Sequence, residues 1–192
     1  MNQTIRKSFL SVTLFFAMGL SATACGPQEG FDNGEQSEST MSVDAQALAT
    51  FQNFRSGVTN IFGTRFCLRV GEGEVANGTP AEIYQCNPNG PRQQWYYNSV
   101  THELRSGLDP NYCLDVKDGV AANGTPVQIY TCNGTNAQRW TRTADNEFRT
   151  ELNVDYYCLD VKGGVAANGT PVQLYTCNGT DAQRWTFPTD NL

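Results

Sequence analysis

The residues of this chain whose types suit thiol, redox or zinc chemistry are few: seven cysteines and one histidine. Six of the cysteines form three pairs, each with partners 19 positions apart: Cys67 with Cys86, Cys113 with Cys132, and Cys158 with Cys177. A structural zinc site would want Cys-x-x-Cys pairs or histidine partners. The chain has no Cys-x-x-Cys, and His102 is its only histidine, so no metal site is expected. Disulfides remain. Six cysteines allow fifteen connectivities in principle, but the segments containing them are copies of one another. Like units should close like loops, so each pair is expected to bridge within its own unit. A loop of this size contributes roughly 3 kcal/mol in the chain-entropy picture. His102 is expected to be a solvated turn residue, and as the sole histidine it leaves no Ser/His/Asp set to argue for. Asp115 and Asp160 lie in different units, a poor placement for the carboxylate pair of a glycosidase. No acidic cluster suggests calcium, and no cofactor is called for.

The units that hold these cysteines are the organising feature of the chain. Tyr112 to Thr141 and Tyr157 to Thr186 differ at three of thirty positions, and a third, diverged copy begins at Phe66. The period is about 45 residues, the signature of a repeat architecture. Within a unit the signals are strand and turn. Val127-Gln128-Ile129-Tyr130 alternates apolar and polar residues with period two, as a half-buried strand does. The preceding Asn123-Gly124 reads as a hairpin turn, as do Asn77-Gly78 and Asn168-Gly169. Leu114 and Val116 flank Asp115, which places its carboxylate on the opposite face of a strand. No amphipathic helical pattern exceeds a turn or two, so the fold class is all-β. Each unit closes on Gln-x-Trp, with Trp95, Trp140 and Trp185 at intervals of 45. Three large apolar rings at equal spacing belong in one shared core.

Cys-Leu-Asp-Val, Asn-Gly-Thr-Pro, Val-Gln-Ile-Tyr, Cys-Asn-Gly-Thr and Gln-x-Trp together resemble the ricin B-type lectin family, also classed as a carbohydrate-binding module. The resemblance covers about Phe51 to Pro188. It implies a β-trefoil, three four-stranded lobes about a pseudo-threefold axis, and it implies sugar binding. Sugar recognition needs a carboxylate or amide facing vicinal hydroxyls and an aromatic plate for the apolar face of the ring. By the resemblance, the second repeat supplies Asp115, Gln128, Tyr130 and Gln138, and the third supplies Asp160, Gln173, Tyr175 and Gln183. The Gln of Gln-x-Trp would steady the Asp. The position just before that Gln, often Asn in galactose-binding members, is Ala137 or Ala182. Asn133 or Asn136, and Asn178 or Asp181, are left to serve in its place. One neutral hydrogen bond lost weakens binding by about 1 kcal/mol, so weak single sites are expected. The first repeat has Arg69 for the Asp and Glu82 for the Gln, and keeps only Tyr84. A cation where an acceptor is needed reverses the hydrogen-bonding polarity, so this lobe is expected to be structural. A competing account makes Asp115 and Asp160 turn residues bonded to their own backbone, Tyr130 and Tyr175 core fillers, and the glutamines partners of buried amides.

The start of the chain reads as a targeting segment, residues 1–24. Arg6 and Lys7 precede the apolar run Phe9 to Leu20, and small residues follow. The run is too short for a good spanning helix. Ala22-Thr23-Ala24-Cys25 is similar to a bacterial lipobox with Ala in place of the usual Leu. The resemblance implies that Cys25, the odd cysteine, is lipidated and becomes the mature N-terminus. A lipoprotein of the cell envelope is expected, anchored firmly by its acyl chains. Gly26, which is not the Asp that retains such proteins at an inner membrane, is compatible with an outer membrane. Residues 25–49 are polar and acidic and are expected to form a flexible tether, leaving 50–192 as the lectin domain.

Charge narrows the partners. Formal net charge is -6, and the first 24 residues hold two cations and no acid, so the remainder carries -8. A nucleic-acid partner would need a basic stripe, and none is present. Five Asn-x-Thr matches in the repeat region, at Asn77, Asn123, Asn133, Asn168 and Asn178, are read as turn chemistry. The expected function is a monomeric, membrane-tethered, non-catalytic lectin whose partner is a glycan or polysaccharide. The 49 residues ahead of the trefoil are too few for the separate catalytic domain that accompanies such modules in enzymes. The alternative is a trefoil that binds protein as an inhibitor or adhesion scaffold.

Overall fold

A computed structural model describes residues 50–153 and 156–191. The expected leader, the lipidation site Cys25 and the tether 25–49 lie outside the described residues.

Among the described residues thirteen short strands account for the regular structure, joined by single 3₁₀ turns. The first lobe holds β1 (Gln52–Asn53), β2 (Arg55–Thr59), β3 (Arg65–Val70), β4 (Ala81–Gln85) and β5 (Gln94–Asn98). β1 and β2 are one strand broken at the buried Phe54. The second lobe holds β6 (Glu103–Ser106), β7 (Tyr112–Val116), β8 (Val127–Thr131) and β9 (Trp140–Arg142), and the third holds β10 (Phe148–Thr150), β11 (Tyr157–Val161), β12 (Thr170–Thr176) and β13 (Trp185–Thr186). The all-β trefoil is the observed architecture.

The outer strands of the three lobes close a six-membered ring. β1 pairs with β5, β5 with β6, β9 with β10 and β13 with β2. The two remaining joints are narrower. Trp140 N donates to the His102 carbonyl at 2.8 Å beside a Glu103–Arg139 bridge, and Trp185 N donates to the Asn146 carbonyl at 2.8 Å. Closing a sheet on itself removes its edges. The inner strands form three hairpins, β3–β4, β7–β8 and β11–β12, in matching register: Asp115 lies opposite Gln128 and Asp160 opposite Gln173.

The tryptophans share one core, fully buried with Leu68, Leu114, Leu159 and their neighbours. An indole N–H in that core needs an acceptor. Each finds the same one: Trp95, Trp140 and Trp185 donate to the carbonyls of Leu68, Leu114 and Leu159 at 3.0, 3.1 and 2.9 Å. The three disulfides join Cys67–Cys86, Cys113–Cys132 and Cys158–Cys177, the pairing expected. Among the described residues one cluster has metal-ligating types, Glu147 with Cys158 and Cys177, and both of its sulfurs are committed to a disulfide.

The structure corrects two expectations. Asn123-Gly124 lies in the β7–β8 connection but makes no two-residue hairpin turn. A type I′ turn needs positive φ at both central residues, and here Gly124 has it (φ 87) while Asn123 does not. Thr125 N closes the turn on the Ala122 carbonyl at 3.2 Å, which fits a type II turn with glycine third. The turn then reaches into the next lobe. Gly124 N donates to the Leu174 carbonyl and Leu174 N to the Thr125 carbonyl, both at 2.8 Å, while Asn123 Oδ1 accepts from Thr176 N at 2.6 Å and Thr176 Oγ1 at 3.0 Å. The Asn77 turn clasps Thr131 in the same way, and Asn168 Oδ1 accepts from Gln85 N at 2.7 Å. The three clasps run first lobe to second, second to third, third to first. His102 does sit in a turn, with φ 60, but its Nδ1 pairs with Glu151 of the third lobe. It is tied across lobes and not merely solvated.

Candidate functional site

The register of the β7–β8 hairpin sets Asp115 beside Gln128, on the face away from Leu114 and Val116. The 3₁₀ turn Asn136–Gln138 brings Gln138 in from the other side. Gln128 Nε2 donates to Asp115 Oδ1 at 3.0 Å, and Gln138 Nε2 donates to Asp115 Oδ2 at 3.1 Å. Gln138 is itself fixed: its Nε2 also donates to the Thr131 carbonyl at 3.0 Å, and its Oε1 accepts from Asn133 N at 2.7 Å. The third lobe repeats every one of these bonds. Gln173 and Gln183 donate to Asp160 at 3.0 and 3.1 Å, and Gln183 spans Thr176 O and Asn178 N at 3.0 and 2.7 Å.

Both carboxylates are buried, each 5% exposed, while Tyr130 and Tyr175 stand 39% and 40% exposed. Neither tyrosine fills the core, and neither Asp is a turn residue. Those two parts of the competing account fail on burial and hydrogen bonding. The third part holds in half, since Gln138 and Gln183 serve backbone groups as well as the carboxylate. Burial pushes the Asp115 carboxyl above the ordinary carboxylate range, the Gln128 and Gln138 amides pull it back, and Asp118 pushes it up again. Asp160 is raised by burial against the Gln173 and Gln183 amides. A buried carboxylate with each oxygen bonded once still has lone pairs to offer.

Each Asp forms the floor of an open cleft. In the second lobe the cleft is about 380 Å³, with Tyr130, Asn133, Asn136 and Ala137 on its walls. In the third it is about 630 Å³, walled by Tyr175, Asn178, Asp181 and Ala182. Both remaining candidates for the missing amide, the Asn after the second cysteine and the residue two before Gln, therefore line the clefts. Asn133 and Asn178 spend Oδ1 on Thr135 and Thr180, which leaves their Nδ2 donors for a ligand. Sequence reasoning missed the far wall. It comes from the next lobe, Leu152 for the second cleft and Val58 and Thr59 for the third. No local motif announces a contact between segments so distant in sequence.

The first lobe shows what replaced this arrangement. The Arg69 guanidinium lies 4.3 Å from the centre of the Tyr84 ring and pairs with Glu72 and Glu82. The aromatic plate is covered by the cation. Gln93 keeps only the backbone part of its role, with Nε2 donating to Gln85 O at 2.9 Å and Oε1 accepting from Asn87 N at 2.6 Å.

Comparison with known proteins gives the class to which this trefoil belongs. Residues 50–130 match the ricin-type β-trefoil lectin domain-like family and residues 101–192 the ricin-type β-trefoil lectin domain family. The chain belongs to the ricin B-type lectin family. Comparison with curated proteins finds no match. Among solved structures, the designed threefold-symmetric protein ThreeFoil is 23% identical with a TM-score of 0.56, over 69% of this chain and 95% of its own. The β-trefoil lectin of the Vibrio vulnificus hemolysin/cytolysin, solved with N-acetyl-D-lactosamine bound, is 20% identical with a TM-score of 0.55, over 72% of this chain and 93% of its own. The hemolytic lectin CEL-III is 26% identical with a TM-score of 0.56, over 72% of this chain but only 30% of its own length. The family and its fold are generally non-catalytic.

Proposed function

We propose that this chain is a non-catalytic, envelope-tethered lectin that binds sugars of glycans or polysaccharides in the clefts of its second and third lobes. The observation that carries the reading is the twice-built floor: a buried carboxylate held on both oxygens by glutamines, next to a half-exposed tyrosine. Asp115 and Asp160 accept hydrogen bonds from vicinal hydroxyls, and charge-assisted bonds of this kind are about twice as strong as neutral ones. Gln128 and Gln173 border the same hydroxyls. Tyr130 and Tyr175 cover the apolar face of the ring, and Asn133 and Asn178 donate through Nδ2. Gln138 and Gln183 position the carboxylates without needing to touch the sugar. A site whose hydroxyl partners must match is selective among epimers, and a cleft this open gives weak single-site affinity. A lipid on Cys25 holds the module at the bacterial envelope, and residues 25–49 let it reach outward.

The test is a glycan array probed with the oxidised protein and with the Asp115→Ala/Asp160→Ala double variant. Binding by the parent that the folded double variant loses supports the reading; a folded parent silent on every glycan overturns it. A second reading, a trefoil that binds protein, draws on the exposed apolar side chains Ile61, Phe62 and Val100, at 93%, 84% and 88%. It predicts partner binding that free sugars do not compete.

A further inference from the structure

The second and third repeats differ at three positions of thirty: Asp118 against Gly163, Ile129 against Leu174, and Asn136 against Asp181. Ile129 and Leu174 are equivalent core residues, both fully buried. The other two pairs all line the clefts. The two non-core differences between these copies therefore fall on the ligand-facing walls. The floors are identical bond for bond, so whatever separates the two clefts lies above the floor.

The walls differ in one direction. In the second lobe, Asp118 rises from the 3₁₀ turn Lys117–Gly119, and Leu152 stands on the wall supplied by the next lobe. In the third lobe Gly163 has no side chain at the equivalent position, and the wall from the next lobe is made by Val58 and Thr59. The outcome is about 380 Å³ against about 630 Å³. Small-ligand sites run from about 300 to 1,000 Å³, so the second cleft sits near the bottom of the range and the third near its middle. A side chain fits sterically at Gly163, since an added Cβ would meet only Val165 Cγ2 at 3.6 Å. Asp118 already occupies the same left-handed backbone, at φ 57 against 66, so the larger side chain is compatible with this turn. The carboxylate missing from the turn reappears on another cleft-lining segment as Asp181, on the 3₁₀ turn Asp181–Gln183.

We infer that the two clefts are two different sugar sites: the second is restricted to a single terminal sugar, and the third also engages a neighbouring sugar ring, with residues 118/163 and 136/181 and the wall Leu152 or Val58–Thr59 setting the difference. This rests on the lectin reading above and deepens it. In the third lobe, Asp181 and Thr59 supply an acceptor and a hydroxyl to the added ring. In the second, Asp118 and Leu152 take up that space.

The experiment uses the full oxidised chain with one cleft silenced at a time through the exposed tyrosines. Tyr130→Ala leaves the third cleft, and Tyr175→Ala leaves the second. Both keep the buried carboxylate network, so folding is preserved, and near-ultraviolet circular dichroism checks it. Each variant is titrated with matched probes: galactose and N-acetyllactosamine, xylose and xylobiose, mannose and mannobiose. With the class that binds, Tyr130→Ala is expected to gain about tenfold from the mono- to the disaccharide, and Tyr175→Ala less than about twofold. Adding Gly163→Asp to Tyr130→Ala should abolish the gain. Equal gains in the two variants, or none in either, overturn this inference while leaving the lectin reading standing. Absence of binding by the parent protein to any probe overturns both.

Discussion

Asp115 and Asp160 are the residues on which most can be measured. Their carboxyl groups are raised above the usual range chiefly by burial. A carboxyl with a raised folded-state value holds its proton more tightly folded than unfolded, so its contribution to stability declines as pH rises from the ordinary carboxylate range, about 3.9 for Asp, through the higher folded value. The proposed sugar binding runs the other way, because its acceptor would have to be ionised. Affinity should fall on acidification at a pH above that expected for an exposed Asp, while thermal stability gains from these two groups. Calorimetric titration across pH 4 to 7 checks the first and thermal melts the second. In Asp115→Asn/Asp160→Asn the acid-dependent loss should vanish along with most of the affinity. Tyr130→Ala and Tyr175→Ala should each change stability by no more than about 0.5 kcal/mol, as exposed positions do, yet each should abolish binding in its own cleft. Trp140→Ala belongs to the opposite class. It empties a fully buried site and leaves the Leu114 carbonyl without its 3.1 Å donor, and a loss of about 3 to 5 kcal/mol is expected in denaturant melts.

Among the elements, the clasps and the disulfides make the sharper claims. Asn77 and Asn123 each accept two hydrogen bonds from the next lobe, and Asn168 accepts one, because Gln85 stands where the others meet a threonine. Asn123→Ala should therefore cost more than Asn168→Ala, by about 1 kcal/mol for the extra bond, and the ordering of melting temperatures tests it. Cys113→Ser/Cys132→Ser should cost about 2 to 5 kcal/mol. These elements also show what could be read in advance. The strands announced themselves through Val127-Gln128-Ile129-Tyr130 alternation, the disulfides through repeated spacing, and the shared tryptophan core through its interval. The Asn-Gly turn was legible as a turn, but its partner was not, because Thr176 is 53 positions from Asn123. The same limit hid Leu152, Val58 and Thr59: a cleft wall donated by another lobe leaves no mark in the segment that carries the motif. The covering of Tyr84 by Arg69 was half legible, as a cation out of place without its destination.

At the scale of the whole molecule, the two proposed sugar sites on one trefoil, and the many copies that a lipid anchor would gather on one membrane, should convert weak sites into durable attachment. Linking sites gains avidity without new contacts only where geometry lets both engage. On a densely glycosylated surface the parent protein should dissociate at least about tenfold more slowly than Tyr130→Ala or Tyr175→Ala, and equal rates would show that only one cleft engages at a time. The proposed anchorage has its own readout. Labelled palmitate should enter the protein in its native host, and Cys25→Ser should release it into the soluble fraction without changing its glycan profile.

The ring of clasps carries a consequence for assembly. Each unit extends a turn to a neighbour and receives one from the other side, and the third returns to the first at Gly169 and Ile83. A lone unit would hold out a turn with nothing to grip and a tryptophan with no core to enter. Three separate copies could satisfy one another, so the smallest assembly of single units expected to fold is a trimer. The near-identical second and third units make the trial practical: an oxidised peptide carrying one such unit should sediment as a trimer or remain unfolded, and never as a folded monomer.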